Sequence, residues 1–233
     1  MKTLSEIASA IDEILATDWV RRAGQQIPTT EDVKLGNDAV ELDGAVLYAD
    51  LVESTALVNS VKDSVAAEMY KVYLYSACEL IRNNGGQITA FDGDRVMGVF
   101  IGEKKDDSAA KCALQINHVV RKTINPKILE TYPKLSYVMR QTVGIDSGKL
   151  FVARTGIRGS NDLVWVGRAA NLAAKLCELR DDCSTSYLTI EAYRKLSEGM
   201  KFAGTPRQSI WTKFQWSEMG VEAYRSNWSC TPA

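Results

Sequence analysis

The chain is 233 residues long, 45% apolar and 24% charged, proportions that fit a globular protein with its own core; at about 150 residues per domain it makes one large domain or a domain with an appendage. Its 28 basic and 29 acidic residues leave a net charge of −1, so the basic footprint of a nucleic-acid binder is missing and no nucleic-acid partner is expected. A single histidine, His118, excludes paired-imidazole zinc sites, and chemistry must come from carboxylates, lysine, arginine, hydroxyls or bound metal.

The N-terminal stretch places Leu4, Ile7, Ile11, Ile14 and Leu15 at helical spacing, an amphipathic helix over 3–17. Acidic residues stand there where a signal peptide has its apolar core. Residues Thr17 to Asn37 contain Gly24, Pro28 and Gly36 and read as an irregular connector. GAVLYADL then reads as a buried strand ending in one carboxylate, Asp50, with Ser54 and Thr55 placed to cap a following helix. A long helix is expected from Ala66 to Ile81, stopped by Asn84-Gly85-Gly86. QITAF and RVMGVFI form a hairpin around Asp92-Gly93-Asp94. A helix over 106–123 carries His118, followed by strands at 137–145 and 149–154, a loop TGIRGSND, the strand LVWV and a helix through ANLAAKLCEL. The remainder reads as a strand, a helix and two more strands, with Trp211, Trp216 and Trp228.

This order, β-α-β-β-α-β with additions at its end, is an α+β pattern of the ferredoxin-like type, an antiparallel sheet with helices on one face. Residues 1–42 are the N-terminal helix and connector, and 43–233 the main domain. The five cysteines (Cys78, Cys112, Cys177, Cys183, Cys230) include no CxxC pair, which fits a reducing cytosol better than a disulfide framework. No apolar run approaches the roughly 18 residues needed to span a bilayer. A cytoplasmic protein without membrane insertion is expected.

Strand order in such a sheet brings Asp50 and Asp94 to one edge, and two convergent carboxylates suit Mg²⁺ or Mn²⁺, which take oxygen ligands and keep waters and substrate phosphates. Taken singly, each aspartate also reads as ordinary strand-end or turn chemistry. LVEST follows Asp50 into a helix, where free N–H groups and the dipole favour a polyphosphate, although a plain N-cap reads the same way. Asn171 and Lys175 lie four residues apart on one helix face. Amide and ammonium there suit a ribose and a phosphate, or simply a solvated surface.

In combination, YADLVEST (48–55), ITAFDGDRVMGVF (88–100), VGIDSGKLFVARTG (143–156) and VGRAANLAAKLCEL (166–179) resemble the class III nucleotidyl cyclases, the adenylate and guanylate cyclase catalytic domains. Coverage runs from about residue 43 to 200, and four ordered blocks make the match specific. The resemblance implies that Asp50 and Asp94 hold two divalent metals. It implies that backbone N–H groups of residues 51 to 55 (Leu51, Val52, Ser54 and Thr55 among them) hold the phosphates, and that Asn171 orients the ribose. It also implies a head-to-tail homodimer in which metal site and asparagine helix come from different subunits.

Three departures stand out. The family's transition-state arginine falls at Lys175, which keeps the charge but loses the planar fork. The glycine of the family's phosphate loop is Glu53. The two positions that read a purine fall at Ala90 and Val164, which offer no hydrogen bonds. Tyr48, on the strand face of Asp50, and Arg95, beside Asp94, are the candidate replacements, and uracil with its O2, N3–H and O4 suits an arginine donor and a phenol. This form is similar to the pyrimidine cyclases of Pycsar anti-phage systems. That similarity implies UTP, and next CTP, as substrate, a cyclic messenger, and a separate effector that reads it. The alternatives are an adenylate or guanylate cyclase with atypical base contacts and a non-catalytic nucleotide-binding dimer.

Overall fold

The computed structural model describes residues 2–181 and 183–232; residues 1, 182 and 233, which belong to the expected 1–42 and 43–233 units, lie outside the described residues. Helix α1 (Leu4–Ala16) opens on a capping box, the Thr3 and Glu6 side chains each accepting from the other's backbone N–H. None of its residues is buried, and Leu4 and Leu15 are 82% and 80% exposed. The Asn37 amide ties its far end down, donating to the carbonyls of Ile14 (2.8 Å) and Thr17 (2.6 Å). The expected irregular connector contains a strand, β1 (Val20–Ala23), paired parallel with the start of β2 (Asp38–Leu51). Four exposed residues, two of them arginine, carry no apolar alternation that would reveal a strand.

Next come α2 (Ser54–Ser60), α3 (Asp63–Asn83), the hairpin of β3 (Gln87–Asp92) and β4 (Arg95–Phe100), and α4 (Lys105–Val119). A π-turn at Val120–Ile124 joins α4 to α5 (Asn125–Thr131). Strand β5 (Gln141–Ile157) is one strand where two were expected. Ser147-Gly148 looks like a break by composition, yet both residues stay in register with Ala45 and Gly44 of β2, because the ladder is made by backbone groups alone. The expected loop TGIRGSND is the tip of a hairpin whose return strand is β6 (Ser160–Val166). After α6 (Arg168–Cys177) the chain runs through β7 (Ser186–Thr189), α7 (Ile190–Lys195), α8 (Glu198–Lys201), the small pair β8 (Phe202–Ala203) and β9 (Gln208–Ser209), and the hairpin β10 (Thr212–Trp216) and β11 (Val221–Ser226).

The main sheet has the order β10-β11-β7-β5-β2-β4-β3. Within it, β5-β2-β4-β3 are antiparallel neighbours, the ferredoxin-like βαββαβ arrangement. One expectation changes: helices cover both faces. Ala45, Leu47, Ala49 and Leu51 of β2 pack beneath α3 and α4, whereas Val40, Leu42 and Val46 join Ala169, Ala170 and Ala173 of α6 on the opposite side. A strand apolar on both faces has to be covered on both, which is why GAVLYADL reads as a continuous apolar run rather than an alternation. Trp211 and Trp216 are buried; the Trp211 indole N–H donates to the Met200 carbonyl at 2.8 Å. The C-terminal segment lies along α4, where the Asn117 amide donates to the carbonyls of Asn227 (3.1 Å) and Trp228 (2.8 Å).

Candidate active site

Strand β2 delivers Asp50 to the end of the sheet, 8% exposed and on the same face as Tyr48. The β3–β4 turn, with Gly93 at φ +60 supplying the left-handed residue, delivers Asp94 beside it. Burial pushes the Asp50 carboxyl up from its ordinary range, and the nearby Asp94 charge adds to that, against the pull of Arg95 and Arg180. The Asp94 Oδ2 atom is buried without a hydrogen-bond partner in the protein. Two carboxylates, one with an orphaned oxygen and both offering only oxygen donors, fit a hard divalent ion. Among the described residues no group of three or more His, Cys, Asp and Glu side chains could hold a metal. An ion held by Asp50 and Asp94 would need water or substrate to complete its shell, which suits Mg²⁺ better than a structural zinc.

One site residue was not legible in the sequence. Arg180, in the loop after α6, donates from Nη2 to Asp50 Oδ2 at 2.9 Å. Its only sequence signal is a basic residue just past a helix end, too common to single out. Arg95 turns toward the same place: its Nη1 donates to Glu178 Oε1 at 3.3 Å, and its buried Nε has no partner. Tyr48 is half-buried, and burial raises its phenol above the usual range. The cluster thus holds two carboxylates, two guanidinium groups and a phenol, closed on one side by Cys177, whose thiol donates to the Thr142 carbonyl at 3.2 Å.

The phosphate loop differs in detail from expectation. Leu51 and Val52 are buried, and the Val52 N–H is already spent on the Arg140 carbonyl at 3.0 Å. Neither Ser54 nor Thr55 caps α2; the N-cap position is Glu53, with φ 60 and no side-chain cap bond. Glu53, at the sequence position of the family's loop glycine, has a left-handed backbone. A left-handed non-glycine residue costs about 1–2 kcal/mol, and an ion pair from Arg140 Nη2 to Glu53 Oε1 at 3.2 Å holds it there.

Tyr48, Met97 and Ala90 lie abreast on neighbouring strands, all packed on the α6 face of the sheet, with a register shift between Ile88 and Ala90. Ala90, one of the expected base-reading positions, contributes only a methyl beside Tyr48 and Met97. Val164 lies on the β6 arm opposite Ala153, 38% exposed. Asn171 and Lys175 are both exposed on the outer face of α6, and the ammonium group of Lys175 lies 3.7 Å from Glu218. One chain alone brings together Asp50, Asp94, Arg95 and Tyr48, and does not bring Asn171, Lys175 or Val164 into contact with either carboxylate.

No protein-family model matches the chain. It is 42% identical to a uridylate cyclase of Burkholderia cepacia over 233 residues, spanning 99% of this chain and 100% of that one. A uridylate cyclase of Xanthomonas perforans is also 42% identical, across 96% of both chains. Among solved structures, the adenylyl cyclase CyaB from P. aeruginosa superposes with a TM-score of 0.66 at 17% identity, covering 80% of this chain and 94% of that one. A bacterial light-regulated adenylyl cyclase gives 0.69 at 18% identity, covering 81% and 52%. The solved structures establish the fold, and the near full-length identity establishes the relationship: this chain belongs to the family of the uridylate cyclases, within the class III nucleotidyl cyclase fold.

Proposed function

We propose that the protein converts UTP, with CTP as the next substrate, to the 3′,5′-cyclic monophosphate and pyrophosphate, working as a head-to-tail homodimer with two shared sites. The observation that carries this reading is the meeting of Asp50 and Asp94 with Tyr48 and Arg95 at one sheet end, where Ala90, one of the two expected purine-reading positions, offers only a methyl group. Uridylate cyclases as relatives support the same substrate class. Divalent ions held by Asp50 and Asp94 would draw the triphosphate together and acidify the ribose 3′-hydroxyl. The 3′-oxygen attacks the α-phosphorus in line, the bond to the β-phosphate oxygen breaks, and pyrophosphate leaves. Arg180, already at Asp50, neutralises phosphate charge; amides of residues 53 to 55 at the start of α2 remain for the terminal phosphates. The partner's Asn171 and Lys175 would complete the site, orienting the ribose and supplying positive charge at the leaving group. Tyr48 and Arg95 would meet the pyrimidine edge, the guanidinium donating to a carbonyl and the phenol pairing at N3.

The same reading makes the cyclic product a cytoplasmic second messenger in anti-phage defence, sensed by a separate effector; the resemblance to Pycsar cyclases supports this. No helix among the described residues is long and apolar enough to cross a membrane. The test incubates the purified protein with ATP, GTP, CTP and UTP in turn, with Mn²⁺ or Mg²⁺, and identifies products by mass. Cyclic UMP should dominate and disappear in Asp50→Ala and Asp94→Ala, and Tyr48→Phe or Arg95→Ala should erode the preference for UTP. Cyclic AMP as the main product would overturn the substrate assignment, and no product from any nucleotide by an intact dimer would overturn catalysis.

A further inference from the structure

Helix α6 carries Asn171 and Lys175 on its outer face, and groups that act on a reacting centre have to be held to a fraction of an ångström. Its inner face near the N-terminus gives little of that placement. Ala169, Ala170 and Ala173 are buried but end in methyl groups, and Gly144 of β5 lies directly under the stretch from Ala173 to Cys177. Such small side chains let the helix sit close to the sheet, yet they interdigitate too little to fix it along its own axis. The N-cap residue Gly167 makes no side-chain cap bond, and the first-turn bond from the Asn171 N–H to the Gly167 carbonyl is long at 3.3 Å.

One side chain anchors this end. Arg168, the first residue of α6, donates from Nη1 to Asp146 Oδ2 at 3.2 Å and from Nη2 to Glu191 Oε2 at 2.8 Å. Its fork therefore spans β5 and α7. Asp146 is 0% exposed, and its other oxygen accepts from the Thr189 hydroxyl, which itself caps α7 by accepting from the Ala192 N–H at 3.2 Å. The buried carboxylate thus ties β5, α6 and the β7–α7 junction together at one point. A cation in the first turn of a helix opposes its dipole, so helix stability does not account for an arginine at this position, whereas the pair with Asp146 does. Arg168, Asn171 and Lys175 follow the spacing i, i+3, i+7, so the anchor and the two groups it would place share one side of the helix.

We propose that Arg168 is a positioning residue for the cyclisation: braced on Asp146 and Glu191, it sets where α6 holds Asn171 and Lys175, and so acts on the partner's site and not on the site of its own chain. The inference rests on the shared-site reading of the homodimer. It also keeps Arg168 away from the substrate, because both of its terminal nitrogens are already bonded to carboxylates; the guanidinium missing at Lys175 is not resupplied from here. Without the anchor, α6 slides on its alanine face while staying packed. Misplaced groups of this kind cost transition-state stabilisation, so the loss falls on kcat and leaves the KM for UTP nearly unchanged.

The test uses mixed dimers of the full chain. Asp50→Ala chains paired with Asn171→Ala chains leave one complete site, made from the carboxylates of the Asn171→Ala chain and α6 of the Asp50→Ala chain. Adding Arg168→Ala to the Asp50→Ala chain should lower the restored rate of cyclic UMP formation by about tenfold or more. Adding it to the Asn171→Ala chain, whose α6 serves no working site, should leave that rate within about twofold. General destabilisation would lower both mixtures alike. In homodimers, Asp146→Asn should reproduce the kcat loss of Arg168→Ala with the KM for UTP within about threefold, and Arg168→Lys should recover part of the rate. The Arg168 side chain is 52% exposed, so its variants stay informative if Asp146→Asn fails to fold. Equal losses in the two mixtures, a loss carried by KM, or wild-type kcat in folded Asp146→Asn would each overturn the proposal. Silence in the mixture that lacks Arg168→Ala would instead overturn the shared-site reading, and this inference with it.

Discussion

Gly144 is the point at which a single methyl group should disable the enzyme without touching a reacting atom. It lies in β5 directly beneath α6, and a Cβ built there would be 2.8 Å from Leu176 Cβ and closer still to the Ala173 carbonyl oxygen and the Cys177 amide nitrogen. Carbon–carbon contacts settle at about 3.5–4.0 Å, and the obstructing atoms are mostly backbone, so no rotamer change relieves the clash. Helix α6 has to lift by roughly 1 Å. Overpacking of this kind costs about 1–3 kcal/mol, which at about 2–4 °C per kcal/mol for a chain of this size lowers Tm by about 2–12 °C. The functional cost is larger, because Asn171 and Lys175 ride on α6 and the helix end carries Glu178 toward Arg95. A displacement of 1 Å in positioning groups costs on the order of 100-fold in rate. Gly144→Ala should therefore fold, melt several degrees early by scanning calorimetry, and turn over UTP at about one hundredth of the wild-type rate. A variant with wild-type Tm and turnover would refute the close seating of α6 on β5.

Other outcomes follow from the same geometry. Mixing Asp50→Ala chains with Asn171→Ala chains should restore about one quarter of wild-type activity, since random pairing makes half of the dimers mixed and each keeps one complete site; sustained silence in the mixture would rule out shared sites. Burial, then the Asp94 charge, raises the Asp50 carboxyl, so folded protein binds that proton more readily than unfolded chain and stability falls as pH climbs from the ordinary aspartate range through the raised one. Metal-free Asp50→Asn should accordingly be inactive yet melt above wild type at neutral pH, with the advantage gone in acid below the ordinary range; a variant melting lower at neutral pH would contradict the assignment. At Glu53, with φ 60, the β-branched change Glu53→Val should cost about 1–2 kcal/mol. Glu53→Gly should be neutral or stabilising, because the left-handed strain it relieves offsets the loss of a mostly exposed ion pair; equal unfolding midpoints for the two variants would show that the backbone there is unstrained.

Much of the site could be read from the chain because its signals are local. A lone carboxylate ending an apolar strand, Asp50, and a turn built as Asp92-Gly93-Asp94 each announce themselves within a few residues, and a fixed strand order then brings them together. Glu53 could be seen to depart from the family glycine, but only its dihedral angle shows that the backbone there is left-handed. Arg180 could not be found, since its partner Asp50 is remote in sequence and nothing in its own surroundings marks it. The exposed strand β1 was missed for a related reason: Val20–Ala23 is ordered by the backbone edge of β2 and not by a buried face.

The sequence by itself determined the α+β order, a carboxylate at a strand end and another in a hairpin turn, and the absence of polar side chains at Ala90 and Val164, because those properties follow from residue type, spacing and periodicity. Only the tertiary structure decided which face of the sheet α6 covers, that β5 runs unbroken past Ser147-Gly148, that Arg180 reaches Asp50, and that Arg168 ties α6 to Asp146. These depend on backbone ladders and on contacts between residues far apart in the chain, and neither leaves a trace in local composition.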